Sequence, residues 1–276
     1  MTLNFSKEEF ILTKKFNGIF STFKNIIKLK MSIQISKKEE QAKGSFNHGE
    51  IIENKPIGFP QDGGKVRPYS NLFYWAHASS KTGSTIGLHP HKGFEIVSYV
   101  LRGTIGHYDT KTDKWWKLDQ GSLQVIKSGN GIAHSEEVKS NSAIFQIWFD
   151  PNLTKSLYRE AEYKDYEASS FKTVHKEHIS TTNIVGESSP VDLDTEGIEM
   201  KEIFVKQDTN ISINPAETYS IYVLDGSFTL NRKKVETDDF IIVNELDILN
   251  FGIKSPVKLF VIKSPKTPSY STYPNT

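Results

Sequence analysis

From about residue 45 onward, short runs rich in Val, Ile, Phe and Tyr alternate with glycine-bearing turns, and no helical period survives. The turns are Asp62-Gly63-Gly64, Arg102-Gly103, Asp119-Gln120-Gly121 and Ser128-Gly129-Asn130-Gly131. Short strands at regular spacing, joined by such turns, are expected to assemble into a sandwich or a barrel. A length of 276 residues accommodates one large domain or two medium ones.

The pattern occurs twice. FEIVSYVLRGTIGHYD runs from Phe94, and ETYSIYVLDGSFTLN runs from Glu217. Setting Gly103 on Gly226 places Tyr99-Val100-Leu101 on Tyr222-Val223-Leu224, each a strand, a turn and a second strand. Two readings stand: a duplicated β-barrel, or two hairpins that look alike because hairpins do. Under the duplication, Ser212 and Asn214 fall where the first copy has His89 and His91. Between the copies, residues 151–172 are charged and poor in β-branched residues. They read as a linker with a helical turn around residues 157–161.

Residues 1–31 are unlike the rest. Phe16, Ile19, Phe20, Phe23, Ile26 and Ile27 recur at helical spacing among Lys14, Lys15, Lys24, Lys28 and Lys30. One reading is a basic amphipathic helix lying on a membrane surface. A targeting peptide fits poorly, because the apolar runs are short, Arg is missing, and Glu8 and Glu9 are acidic. The favoured reading is sequence upstream of a start at Met31, or a loose tail.

Composition narrows the chemistry. With 34 Lys plus Arg against 33 Asp plus Glu, the chain lacks the positive footprint of non-specific nucleic-acid binding, and no direct nucleic-acid partner is expected. No stretch approaches the roughly 20 apolar residues needed to span a bilayer, so no transmembrane segment is expected either. Cysteine is absent, which removes disulfides, thiolate metal sites and cysteine nucleophiles. Any bound metal must therefore use His, Asp or Glu, an N/O site suited to iron, manganese, nickel, copper or zinc. With neither cysteine nor a signal sequence, a cytoplasmic location is expected.

The eight histidines all lie in the first two-thirds of the chain. His89-Pro90-His91 is an H-x-H pair, and residues two apart on a strand point to one face. His134-Ser135-Glu136 repeats the spacing with an imidazole and a carboxylate. If the two strands are neighbours in a barrel, four N/O donors meet in its interior. Three neutral imidazoles and one carboxylate leave a single positive charge on a divalent ion. An octahedral ion would keep two adjacent positions for water, substrate or dioxygen, which is a catalytic arrangement rather than a closed structural one. The remaining histidines carry weaker expectations. His107 is expected on a barrel strand with a lesser claim to the pocket, His77 in core or surface, and His175 and His178 in a solvated turn. Trp115-Trp116 reads as edge packing. Phe73, Phe94, Phe145 and Trp148 are candidate pocket walls.

The segments GLHPHKGFEIVSYVLRGTIGHYD and GSLQVIKSGNGIAHSEE together resemble the pirin family of the cupin superfamily. The distinctive matches are His89 to Glu95, Val100 to Gly103, and Gly129 to Glu136. IFQIWFDP at 144–151 is similar to the segment that closes the family's first barrel, with Phe149-Asp150-Pro151 where the family usually has Asn-Leu-Pro. The resemblance is clear over residues 55–152 and faint beyond. It implies an all-β bicupin of two tandem jelly-roll β-barrels. The expected division is an extension at 1–40, a metal-binding barrel at 41–160 and a metal-free barrel at 161–276. It implies a mononuclear metal, preferably Fe(II), with Mn, Ni, Co, Cu or Zn also compatible with the donors. The ligands implied are His89, His91, His134 and Glu136. Glu95 stays open. Strand parity from His91 would let it reach the metal, whereas the resemblance makes it a neighbouring hydrogen-bond partner or a general base.

Three activities fit such a barrel. The resemblance favours a quercetin 2,3-dioxygenase, which opens a flavonol ring with O2 and releases carbon monoxide, Glu136 or Glu95 accepting the substrate's hydroxyl proton. The second is a non-catalytic, iron-dependent regulatory module that binds a protein partner. The third, another cupin reaction such as sugar isomerisation, ranks last, because few arginines (Arg67 and Arg102) stand near the motifs.

Overall fold

A computed structural model describes residues 32–273. The basic segment at 1–31, with its three readings, lies outside the described residues. In the first half the strands are β1 Ile33–Ser36, β2 Ala42–Phe46, β3 Ile51–Ile57, β4 Leu72–Ser80, β5 Ser84–His91, β6 Glu95–Arg102, β7 Thr104–Asp109, β8 Lys114–Asp119, β9 Leu123–Lys127, β10 Ile132–Val138, β11 Ser142–Phe149 and β12 Glu162–Tyr166. In the second half they are β13 Thr173–Lys176, β14 Ile179–Val185, β15 Glu199–Val205, β16 Thr209–Ser212, β17 Glu217–Asp225, β18 Ser227–Leu230, β19 Lys233–Glu236, β20 Phe240–Val243, β21 Ile248–Ile253 and β22 Val257–Pro265.

These strands form two barrels of one plan. The first has a large sheet ordered β12-β9-β6-β11-β4-β3-β2 and a small sheet ordered β5-β10-β7-β8. The second repeats both, as β1-β20-β17-β22-β15-β14-β13 and β16-β21-β18-β19. The fold is the expected bicupin, and the faint internal repeat is a structural duplication. The turn glycines that aligned the copies do equivalent work. Gly103 (φ +73°) and Gly226 (φ +95°) both sit in the left-handed region, tight against Ser142 and Val257, the first residues of β11 and β22. A Cβ at Gly103 would collide with the Ser142 hydroxyl and lie 3.0 Å from Ser142 Cα, in a backbone conformation that already favours glycine.

The halves exchange edge strands. β1 precedes the first barrel in sequence but pairs antiparallel with β20 of the second. β12 lies in the stretch read as a linker, yet it pairs with β9 and extends the first barrel's large sheet. Its charged sequence EYKDY hides a period of two, with Tyr163 and Asp165 half-buried between exposed Glu162 and Lys164. The helical turn also differs from expectation. It spans Leu153–Ser156, because the Asn152 side chain caps it by accepting from Thr154 N.

The large sheets pack face to face over one shared core. Trp75 and Phe145 from the first meet Tyr222, Phe240 and Phe260 from the second, with ring centroids 4.9–6.2 Å apart. Each barrel interior has its own apolar cluster as well. No helix among the described residues is long and apolar enough to cross a membrane.

Candidate metal centre

β5 is the edge strand of the first barrel's small sheet, and β10 lies beside it. His89 pairs directly with His134 and His91 with Ile132, so the three imidazoles share one face. Their ring centroids form a triangle with sides of 4.8, 4.4 and 4.7 Å. The Nε2 atoms of His91 and His134 are 2.9 Å apart. Two nitrogens bound at right angles to one ion at about 2.1 Å would stand about 3 Å apart. His89 Nδ1 lies 2.8 Å from the Gly87 carbonyl oxygen, which assigns the proton to Nδ1 and leaves Nε2 free as a donor atom. The H-P-H motif thus presents its nitrogens as strand parity requires. Between His134 and Glu136 the pairing with β5 slips by one residue, around Gly87 and Leu88. Leu88 is left exposed on the outer face.

Glu136 is buried and reaches across the barrel to the large sheet. Ser98 Oγ on β6 donates to its Oε1 at 3.1 Å, and Gln146 Nε2 on β11 donates to its Oε2 at 2.5 Å. Neither contact is visible in the sequence, since each arises only when the barrel closes. Ring nitrogens of His89, His91 and His134 all lie within 4.8 Å of one another, and so do donor atoms of His107, His134 and Glu136. His134 belongs to both groups. The three candidate histidines therefore come together, Glu136 meets them at His134, and His107, ranked low from sequence, stands with that pair. A usable signal existed: His107-Tyr108-Asp109 has the same alternate spacing as the other two pairs.

The environment disfavours protonation of His91, His134 and His107. Burial, reinforced by the neighbouring rings, pushes His91 down to about 3 and His134 down to about 2. Burial also lowers His107, against the pull of Glu136 and Asp109. Neutral imidazole is the form that binds metal. The donor set fits a divalent cation: three nitrogens converge, one carboxylate is fixed nearby, and the buried Nδ1 of His134 has no hydrogen-bond partner, so its Nε2 is the ring's engaged end. His89 and His91 are partly exposed while His134 and Glu136 are buried, so the cluster is reached from the β5 side.

Beside it stands an aromatic wall. Trp148 meets the His91 ring edge-on at 4.8 Å, and Phe73, Phe94, Phe59 and Tyr74 pack around Trp148. Phe145, expected in that wall, belongs instead to the core between the barrels.

Glu95 requires a correction. It is buried, but it faces the other way, on the face of β6 that carries Val97 and Tyr99 into the inter-barrel core. Its Oε1 accepts from Asp194 N at 2.6 Å, and its Oε2 accepts from Thr195 N at 2.8 Å and from the Thr195 hydroxyl. Parity counted from His91 fails because Gly93 (φ +85°) turns the chain between β5 and β6. Glu95 thus ties the first barrel to the second half and is neither ligand nor base at the cluster.

The other expectations are resolved simply. His77 Nδ1 lies 3.1 Å from Tyr222 Oη at the barrel interface. His175 and His178 are exposed, with His175 Nδ1 2.8 Å from Ser180 Oγ. Trp115 and Trp116 lie exposed on the edge strand β8.

The Pirin family model matches residues 59–149, which contain the whole cluster. A quercetin 2,3-dioxygenase of Escherichia coli is 30% identical over 164 residues, spanning 58% of this chain and 67% of that protein. The chain belongs to the pirin family. Pirin-1 of Arabidopsis thaliana is 33% identical over 102 residues, 36% of this chain and 34% of its own. A Zymomonas mobilis relative is 43% identical over 68 residues, 24% of this chain and 28% of its own length. Among solved structures, a quercetin 2,3-dioxygenase from Acinetobacter baumannii aligns with a TM-score of 0.73 at 20% identity, covering 86% of this chain and 80% of that one. The structure of an E. coli bacterial pirin in complex with nickel(II) aligns at 0.68 and 22% identity, covering 84% and 99%. This pirin therefore shares the fold of both.

Proposed function

We propose that this pirin binds one divalent metal ion, Fe(II) by preference, through His89, His91, His134 and Glu136, and cleaves flavonols with O2 in the manner of a quercetin 2,3-dioxygenase. The observation that carries the reading is the convergence of three imidazoles, with the Glu136 carboxylate fixed beside His134, next to an aromatic wall. The family's relatives named as quercetin 2,3-dioxygenases support it, and the nickel complex of a relative supports an N/O site for a divalent ion.

When bound, the metal supplies a Lewis acid that lowers the acidity threshold of the flavonol hydroxyl and a redox-capable partner for O2. The chain's own residues do the rest. His89, His91 and His134 bring ring nitrogens to one point, and burial keeps His91 and His134 neutral. Phe94 and Trp148, partly exposed and backed by buried Phe73, offer apolar ring surface for a planar substrate. Glu136 accepts the hydroxyl proton on a carboxylate oxygen, its orientation fixed by Ser98 and Gln146. Glu95 has no part in this step.

The test is aerobic incubation of anaerobically purified, iron-loaded protein with quercetin, following loss of its visible absorbance and release of carbon monoxide. Turnover by the wild type that is lost in a folded His91→Ala protein is expected. Turnover surviving in His91→Ala, or a fully loaded wild type inert on every flavonol, contradicts the dioxygenase reading. The second of these outcomes leaves a non-catalytic, partner-binding role.

A further inference from the structure

His107 is outside the four ligands proposed above, yet the first barrel holds it on three sides. At its edge, Nε2 lies 3.3 Å from Asp109 Oδ2. Asp109 is itself fixed by Lys111 N at 2.8 Å, Thr112 N at 2.7 Å and the Thr112 hydroxyl at 2.9 Å. On its face, the Tyr163 ring stacks at 4.7 Å and 8°. Tyr163 is anchored in turn through its hydroxyl to Asp165. On the third side is Glu136, the direct cross-strand partner of His107, with donor atoms of the two residues within 4.8 Å. The ring is fully buried, and its Nδ1 has no hydrogen-bond partner.

The duplication supplies a second, independent observation. The alignment that sets Gly103 on Gly226 places His107 on Leu230, and the cross-strand partner of Leu230 is Phe251. The polar pair His107–Glu136 in one barrel is thus matched by an apolar pair in the other. Both members differ together, as expected if they work as a unit.

We propose that His107 is a positioning residue for Glu136: clamped by Asp109 and Tyr163, its ring sets where the Glu136 carboxylate sits and so governs how tightly, and in what geometry, the cluster holds a divalent cation. The inference rests on the metal reading above. An outer partner of this kind affects metal affinity by about 10- to 100-fold.

The experiment is a double-mutant cycle read with cobalt(II) alone, on the full chain, by binding affinity and by the visible d–d spectrum. The four proteins are wild type, His107→Ala, Glu136→Gln and the double variant. His107→Ala in the wild-type background is expected to weaken cobalt binding about 10- to 100-fold and to shift the d–d bands. In the Glu136→Gln background the same change is expected to cost less than about 3-fold, because the group it acts through is gone. An equal loss in both backgrounds, or no loss in either, overturns the inference while leaving the metal reading intact. A wild type that takes up no cobalt overturns both. Should His107→Ala fail to fold, Tyr163→Leu carries the test, since it removes the stacking platform and leaves the Asp109 contact. Shifted d–d bands are then expected, and an unchanged spectrum overturns the proposal.

Discussion

The two barrels share one strand order and differ in what their small sheets point inward. In the first, the inward positions hold His89, His91, His134, Glu136 and His107. In the second, Leu230, Leu249 and Phe251 are buried there instead, and pairing with β21 puts Ile211 and Ile213 where His89 and His91 stand, one residue before the Ser212 and Asn214 of the sequence alignment, which are exposed. The same scaffold tolerates either filling, so the chemistry belongs to the site and not to the fold. A buried polar set stands only if its members satisfy one another. In the first barrel Ser98, Gln146, Asp109 and Tyr163 provide much of that satisfaction, and the remainder is an open donor set.

Removing the apolar filling of the second barrel should have the largest effect. Phe251→Ala is expected to cost about 3–5 kcal/mol in urea unfolding, since no polar network or ion shares the load there. An effect below about 1 kcal/mol would break the contrast between a packed and a coordinating interior. Next, His134→Ala should weaken metal binding more than about 100-fold, equivalent to about 2.7 kcal/mol. Ile211→Ala, at the second barrel's position matching His89, should leave metal binding unchanged in the same titration.

Glu95→Gln separates the two senses of a buried carboxylate. It should destabilise the protein by roughly 1–3 kcal/mol, because one of the two oxygens that accept from the Asp194 and Thr195 amides is replaced by a donor. It should leave metal affinity within about 3-fold. A collapse of metal binding in this variant would return Glu95 to the cluster.

The metal-free protein should also lose stability as pH falls. His91 and His134 resist protonation in the folded state down to about 3 and about 2, whereas in the unfolded chain they take protons below 6.5. The unfolded state therefore binds more protons as pH drops from 6.5 towards 3. Their contribution is fully present above 6.5 and is lost across that window, on the order of 2 kcal/mol per histidine by pH 5. Unfolding at several pH values, with His91→Ala for comparison, reads this slope. The smallest effect belongs to Trp115→Ala on the exposed edge strand, which should stay within about 0.5 kcal/mol in thermal unfolding.

Much of this was legible in the sequence, for physical reasons. Strand parity is local, so H-x-H and H-x-E reveal shared faces without any structure. Turn glycines are local too, and Gly103 and Gly226 aligned β7 with β18 correctly. Carried back to β5 and β16 the same alignment runs one residue late, because the pairing of β5 with β10 slips between His134 and Glu136, so Ile211 and Ile213, not Ser212 and Asn214, match His89 and His91. What escaped depended on closure or on chain reversal. Glu95 was misjudged because a turn at Gly93 reset the parity that its spacing from His91 suggested. Tyr163 was masked by its charged neighbours in an edge strand. Ser98 and Gln146 meet Glu136 only across the barrel, from strands of the other sheet. Phe145 looked like Trp148 in sequence, yet the two face opposite sides of β11.

The difference between the barrels is tested most directly by metal quantification after anaerobic loading with Fe(II) and removal of excess, with His134→Ala treated in parallel. One ion per chain in the wild type and essentially none in a folded His134→Ala protein is the expected result. A wild type without stoichiometric metal, or a variant that keeps its full complement, would contradict the assignment of the metal to the first barrel.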